Sequence, residues 1–330
     1  MKVGVIGCGY WGSKLVREFC DLVGKENLIA CDLSEQRLTA IKEKFGIETT
    51  HSISAIIKKA DAIAVATPVF SHYAVARKVL KAGKHAFVEK PIAKSYSQSL
   101  KLVALASQKN VKLMVDSTFI YSAAIRKAKE LISRGEIGAP RFATSRRLNL
   151  GLYQADKTNV IWDLAPHDVA ILAHLFGDFP SKVSAFGTAT VIKDIADNAN
   201  MILKFPGGQQ ASIHMSWLHP FKIRETVVVG SEKMLVYNLD KDPQIEVDDK
   251  GVVLKNPEPQ TAADLEYKNS AIYPHIVSGA LPDMCKHFLE CITENKTPMT
   301  DGVYGAKIVR VLEAADKSLH KNGRAVKIEY

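Results

Sequence analysis

Met1-Lys2-Val3-Gly4-Val5-Ile6-Gly7-Cys8-Gly9-Tyr10-Trp11-Gly12 opens the chain. Lys2–Ile6 reads as a short apolar strand, and glycines at 7, 9 and 12 separate it from a helical pattern that begins at Trp11. Strand, G-x-G-x-x-G, then helix is the layout of a phosphate cradle. The first glycine allows a tight turn, the second lets backbone approach a pyrophosphate, and the third lets helix pack on strand. The helix N-terminus adds unpaired N–H groups and the positive end of its dipole. Asp32 closes a second apolar run 20 residues beyond Gly12. From that position a carboxylate bonds the ribose hydroxyls of NAD and repels the extra phosphate of NADP. Cofactor-binding candidates are therefore Gly7, Gly9, Tyr10, Trp11, Gly12 and Asp32, with NAD expected rather than NADP; Arg37, within a turn of that corner, is the feature that would favour NADP. The plainer alternative is a glycine turn with Asp32 capping the next helix.

The alternation continues outward. Runs at Asn27–Asp32, Ala62–Ala66, His85–Glu89 and Val111–Val115 interleave with helical patterns from Trp11, from Ser34, and over Ser71–Ala82 and Ser97–Gln108. Strands alternating with helices predict parallel βαβ units, so residues 1–120 are read as an α/β Rossmann domain that binds NAD. After a helix at Ala123–Ser133, strands follow strands: Arg141–Asn149, Lys182–Ile192, Asn198–Phe205, Gln209–Trp217, Thr226–Val229 and Met234–Tyr237. The turn Phe205-Pro206-Gly207-Gly208-Gln209 joins two of them as a hairpin. Residues 121–330 are expected to form an α+β domain for substrate binding and oligomerisation, with a large, mainly antiparallel sheet and helices at Pro282–Asn295 and Gly302–Lys321. Prolines 257, 259, 274 and 282 predict extended loops over residues 240–280.

Composition bounds the function. With 330 residues, 47% hydrophobic and 24% charged, the chain matches ordinary globular domains and suits two of them. Stretches such as Ala62–Val69 fall well short of the roughly 18–20 apolar residues of a membrane helix, so no membrane partner is expected. No charged segment, apolar core and cleavage site precede the first strand, and five cysteines form no C-x-x-C pair. Both features suit a reducing, cytoplasmic setting. The net charge of +9 comes from scattered residues rather than a basic tract, so nucleic acid is not expected as a partner, while a field that attracts an anionic small substrate stays open. The histidines and cysteines show no metal-ligand spacing, and no metal is expected.

Further motifs lie along the chain: Ala66-Thr67-Pro68, Ser71-His72, and Ala82-Gly83-Lys84-His85-Ala86-Phe87-Val88-Glu89-Lys90-Pro91. With Gly135-Glu136-Ile137-Gly138, the Asp163 and His167 pair, Pro298–Gly302 and Leu312–Ala315, they resemble the Gfo/Idh/MocA oxidoreductase family. The resemblance implies a Rossmann domain followed by an open-faced sheet domain. It also implies a cofactor site that includes Thr67, Pro68, His72, Glu89 and Lys90, and a homo-oligomer, dimer or tetramer. Arg147–Gly151 followed by Asn159–Asp168 is similar to members that oxidise UDP-N-acetylglucosamine, or its uronic acid, at the sugar 3-position.

Taking hydride from a secondary alcohol needs a base for the hydroxyl proton and a cation for the developing alkoxide. Lys90, Asp163 and His167 are the catalytic candidates. Asp163 and His167 stand four apart at the entry to a helix over His167–Leu175, a spacing that shares one face. An ordinary histidine titrates near pH 6.5, which suits His167 to accept the proton, with Asp163 orienting it and bonding substrate and Lys90 facing the alkoxide. The division of proton transfer between Lys90 and His167 stays open. Each residue has a plainer reading, Asp163 as a helix cap and Lys90 as a surface lysine, and the resemblance is what favours chemistry. Lys90, Asp163 and His167 are also substrate-binding candidates. Arg147 and Asn149 join them, sharing a strand face with Ser145. An arginine there suits a diphosphate or a sugar carboxylate. Tyr121 and Tyr153 are candidates for contact with a sugar ring.

The expected activity is NAD-dependent oxidation of a ring hydroxyl, most simply the 3-hydroxyl of UDP-N-acetylglucosamine or a relative. Two alternatives stand beside it: a dehydrogenase of a free inositol or hexose, and a catalytically silent sensor of NAD or sugar. A sensor would have no use for Lys90, Asp163 and His167 together.

Overall fold

A computed structural model of the chain describes residues 1–150, 158–241, 244–249, 251–254, 265–268, 272–275 and 280–330. It divides into two compact units, Met1–Thr118 with Ala280–Glu313, and Phe119–Gly279 with Ala314–Tyr330.

The first unit begins with β1 (Val3–Ile6), α1 (Tyr10–Val23), β2 (Leu28–Cys31), α2 (Glu35–Phe45), β3 (Glu48–Thr50) and α3 (Ile53–Lys59). It continues with β4 (Ala62–Val65), α4 (Val69–Lys81), β5 (His85–Val88), α5 (Tyr96–Gln108) and β6 (Leu113–Val115). All six strands are parallel, in the order β3-β2-β1-β4-β5-β6. Every residue of β1, β2 and β4 is buried, as expected for strands covered on both faces by crossover helices. Strand order reverses between β1 and β4, so the turns after Ile6 and Val65 open at the switch point where such sheets take their ligands. β3 and α3 are absent from the sequence reading. β3 is a three-residue polar edge, Glu-Thr-Thr, and α3 has only seven residues behind the Ser52 cap, so neither has a long apolar period.

In the second unit follow α6 (Ala123–Ser133), β7 (Pro140–Leu150), α7 (Val160–Phe176), β8 (Lys182–Thr188), β9 (Asn198–Lys204), β10 (Gln210–Ser216), β11 (Leu218–Gly230) and β12 (Met234–Asn238). Then come β13 (Ile245–Asp248), β14 (Gly251–Leu254), β15 (Leu265–Lys268) and β16 (Ile272–His275). The chain closes with α8 (Ala280–Thr293), α9 (Gly302–Leu319) and β17 (Val326–Lys327). Nine strands form one sheet, β16-β13-β12-β11-β7-β10-β9-β8-β17, antiparallel except for the parallel pair β7 and β10, while β14 and β15 pair separately. α7 packs on β7, β9 and β10 and buries Ala143, Ala199, Met201, Ala211 and Ile213. The other face leaves Phe142, Phe186 and Ile202 exposed.

Three expectations need correction. Residues 240–280 carry strands β13 to β16 rather than loops alone, with Ile245 and Val247 of β13 buried in alternation with Glu246 and Asp248, while Pro257 and Pro259 lie outside the described residues. β8 stops at Thr188, short of Ile192, because the Asp197 carboxylate collects the Thr190 and Val191 N–H groups at 2.8 and 2.9 Å and folds the chain into a turn. Residues 280–313, assigned by the 120/121 boundary to the second domain, pack with the first unit. Phe288 of α8 meets Phe19 of α1 and Phe87 of β5 with ring centres 6.5 and 5.6 Å apart. Val115 N–H donates to Thr300 O at 2.7 Å, and Tyr96 N–H donates to Glu313 Oε1 at 2.8 Å.

Candidate active site

The cofactor cradle is built by backbone. Gly7 sits at φ +95°, and a Cβ there would lie 2.6 Å from the Ala66 carbonyl oxygen, so the turns after β1 and β4 touch through the hydrogen of a glycine. At Gly12 a Cβ would fall 1.7 Å from Gly7 O, which leaves no room for any other residue. Gly9 differs: its Cβ direction is open, with only Arg37 Nη1 at 4.0 Å. As N-cap of α1 it offers no side-chain cap, and no acidic residue stands in the first turn. The leading N–H groups of the helix are thus left to an anion.

Asp32 is fixed at the corner. Its Oδ2 accepts from Cys8 N–H at 2.6 Å and lies 3.6 Å from Arg37 Nη1, and its Oδ1 accepts from Ser34 N–H at 2.9 Å. His51 Nδ1 reaches the Asp32 carbonyl at 3.0 Å, and its Nε2 meets Glu35 at 2.6 Å; the Glu35 contact raises the His51 pKa. Burial pushes the Cys8 and Cys31 thiols up to about 12 and about 11, which keeps both protonated and inert beside the loop. These features fit a dinucleotide: a glycine turn, an uncapped helix start and a rigid carboxylate.

Tyr10 is exposed, with Lys14 Nζ 3.0 Å from its hydroxyl. Trp11 turns inward, and its Nε1 donates to Asp116 Oδ2 at 2.6 Å. Pro68 caps α4, and Thr67 Oγ1 accepts from Ser71 at 2.7 Å. His72 is buried and keeps its ring nitrogens 2.8 Å from Pro91 O and 2.6 Å from Thr67 O. Instead of offering a nitrogen to a cofactor, it braces the Thr67 turn against the segment that carries Glu89, Lys90 and the cis peptide before Pro91. Burial lowers its pKa, while the two carbonyls pull it back up. Glu89 N–H donates to Val65 O at 2.9 Å, which sets Lys90 just past the end of β5.

In the second unit the helix that carries Asp163 and His167 begins earlier than the sequence predicts. Asn159 accepts from Ile161 and Trp162 N–H at 3.1 and 3.2 Å, so α7 starts at Val160 and Pro166 lies inside it. Asp163 therefore stands in the first turn and is not the cap. Its Oδ2 accepts from Trp217 Nε1 at 2.9 Å, and the half-buried His167 ring meets Phe119 edge-on at 4.9 Å. Arg147 lies over the same phenyl ring at 4.8 Å.

Arg147 faces inward with Ser145, as the strand period predicts, yet its guanidinium is committed to Asp168 and not presented to a ligand. Ser145 Oγ also donates to Asp168, at 2.7 Å. Tyr121 is buried. Asn149 keeps a buried Oδ1 with no hydrogen-bond partner, which makes it the better polar candidate of that strand. Tyr153 lies outside the described residues. Sequence reasoning missed Phe119, Asp168 and Trp217, which hold the candidates in place. Asp168 follows His167 directly, and its residue type beside a strand arginine was the available signal. Among the described residues, no group of three His, Cys, Asp or Glu side chains is placed to hold a metal, and no helix is long and apolar enough to cross a membrane.

Residues 1–117 match the oxidoreductase family with an NAD-binding Rossmann fold, and residues 125–236 match the GFO/IDH/MocA C-terminal domain. The chain belongs to the Gfo/Idh/MocA family. It is an NAD-binding oxidoreductase. It is similar to D-apiose dehydrogenase of Paraburkholderia graminis, at 25% identity across 99% of this chain and 90% of that protein. It is also similar to UDP-N-acetylglucosamine 3-dehydrogenase of Acidithiobacillus ferrooxidans, at 23% identity across 94% of each chain. A solved structure of the latter superposes with a TM-score of 0.81 at 21% identity, covering 98% of both chains. Levoglucosan dehydrogenase in complex with NADH and levoglucosan gives 0.84 at 18% identity, covering 100% of this chain and 99% of that one.

Proposed function

We propose that the protein oxidises a ring hydroxyl of a nucleotide sugar, the 3-hydroxyl of UDP-N-acetylglucosamine or a close relative, to the 3-oxo sugar. The observation that carries the reading is the α7 arrangement, with Asp163 held by Trp217 and His167 held by Phe119 one helical turn away. A carboxylate and an imidazole fixed at that spacing suit a sugar hydroxyl, one as acceptor for its neighbours and the other as base for its proton. His167 takes the hydroxyl proton, Asp163 orients the sugar, and Lys90 stabilises the oxyanion as it forms. Bound NAD supplies the hydride acceptor. Asn149 Oδ1 is an acceptor for a substrate N–H or O–H. Likeness to the UDP-N-acetylglucosamine 3-dehydrogenase over nearly the whole chain supports a nucleotide sugar, and likeness to D-apiose dehydrogenase keeps a free sugar as the second reading. We also infer assembly into a homo-oligomer through the sheet face that exposes Phe142, Phe186 and Ile202, to be checked by sedimentation.

The experiment is mass spectrometry of the protein incubated with NAD and UDP-N-acetylglucosamine, with an aminotransferase present to trap the ketone. A nucleotide sugar lighter by two hydrogens, lost in Lys90→Met and His167→Asn, supports the proposal. Turnover of apiose, inositol or hexose alone points to the second reading, and wild-type turnover by Lys90→Met overturns the assignment of that lysine.

A further inference from the structure

Asp116 is an acid that the reaction scheme leaves unused. It follows β6 directly and is only 2% exposed. Its N–H donates to Val88 O at 2.8 Å, which ties it to the end of β5 two residues before Lys90. Three donors converge on its carboxylate: Trp11 Nε1 on Oδ2 at 2.6 Å, and Thr118 N–H at 3.1 Å with the Thr118 hydroxyl on Oδ1. Trp11 is the fifth residue of the glycine motif, so one side chain joins the cofactor loop to the strand end that bears the candidate cation. A carboxylate out of water is costly unless its partners are good, and such a group is seldom kept without a use.

We propose that Asp116 is a positioning residue for hydride transfer: its carboxylate fixes the Trp11 indole of the cofactor loop by a hydrogen bond and holds the Lys90 ammonium by charge, so that one group sets both. The Lys90 half of the inference rests on the role given to Lys90 above, and the Trp11 half does not. Burial raises the Asp116 pKa, while Thr118, Trp11 and the Lys90 charge draw it back down. Among the described residues, titratable groups that face this pair include the Cys285 thiol of α8, which feels both Asp116 and Glu18 of α1, and His72 of α4, which feels Lys90.

Two measurements on the full chain need no sugar. Calorimetric titration with NAD is read for Asp116→Asn, Trp11→Phe and the double variant. Each single change is expected to weaken binding about tenfold, the scale of a hydrogen bond to a charged group, and the double variant should be no weaker than Asp116→Asn alone. Independent, multiplying losses overturn the link to Trp11. Carbon-13 titration of the Asp116 carboxyl is then read in wild type, Trp11→Phe and Lys90→Met. The midpoint should move upward in both variants, further in Trp11→Phe than in Lys90→Met; an unmoved midpoint in Lys90→Met overturns the charge contact. Should Asp116→Asn fail to fold, the carboxyl titrations decide, because they keep Asp116. A protein inactive on every sugar would sink the proposed reaction and leave both results readable.

Discussion

Arg147 and Asp168 form a two-pronged ion pair one residue along α7 from His167, with Nε on Oδ2 at 2.5 Å and Nη2 on Oδ1 at 3.2 Å. Both side chains are buried, and the Phe119 ring lies against both the guanidinium and the His167 imidazole. The arginine thus anchors β7 to α7 rather than waiting for a phosphate. Asp168→Asn leaves a buried guanidinium without its counter-charge and should cost about 3–5 kcal/mol. Urea unfolding measures it, and a loss below about 1 kcal/mol would contradict the pairing.

Gly9→Ala and Gly12→Ala should part company. The Gly9 position has open space, so its alanine variant keeps wild-type unfolding behaviour but loses NAD affinity as the methyl intrudes on the pyrophosphate path. The Gly12 variant drives a methyl into Gly7 O and should unfold at much lower urea or fail to accumulate. Calorimetric NAD binding beside urea midpoints separates the two, and equal destabilisation would refute the geometry.

Trp217→Phe keeps a ring in the core and removes the donor to Asp163. One hydrogen bond of about 1 kcal/mol predicts roughly a fivefold fall in kcat/KM for the sugar. NAD affinity should not change. Steady-state kinetics with parallel NAD titration checks this, and a matching loss of NAD affinity would argue against a role confined to Asp163.

His174 gives a pH dependence. Burial lowers its pKa to about 4 in the folded protein, against about 6.5 when unfolded. Between those values the unfolded chain binds the extra proton, so this contribution is intact above pH 6.5 and is lost as pH falls toward 4, up to about 3 kcal/mol. Urea midpoints from pH 7 to 4 should fall less steeply for His174→Gln than for wild type, and parallel slopes would exclude the effect.

Much of this was legible in the sequence because it is local. Gly7, Gly9, Gly12 and Asp32 carry their meaning in a spacing, and alternation of β1, α1 and β2 follows from short-range pattern. His72 shows where that stops. Its type and place suggested a cofactor contact, but the Pro91 and Thr67 carbonyls that occupy its ring come from segments 19 and 5 residues away in opposite directions. Arg147 was placed on the correct face, yet whether a buried arginine meets substrate or Asp168 depends on a helix packing on the sheet. The capping of α7 by Asn159 was hidden by Pro166, which reads as a helix start when the preceding turn is not known.

Phe288 has a consequence for how the molecule is made. Phe19 and Phe87 complete their cluster with a ring encoded some 200 residues after the latter. A ribosome that has delivered every strand of the parallel sheet has therefore not yet delivered the helix that covers those rings. The nascent nucleotide-binding half waits, part of its apolar surface open to water and to chaperones, until α8 emerges. A nonsense change anywhere between residues 119 and 279 would release a sheet that has all its strands but lacks α8 over Phe19 and Phe87, a species prone to aggregate rather than a small functional dinucleotide binder.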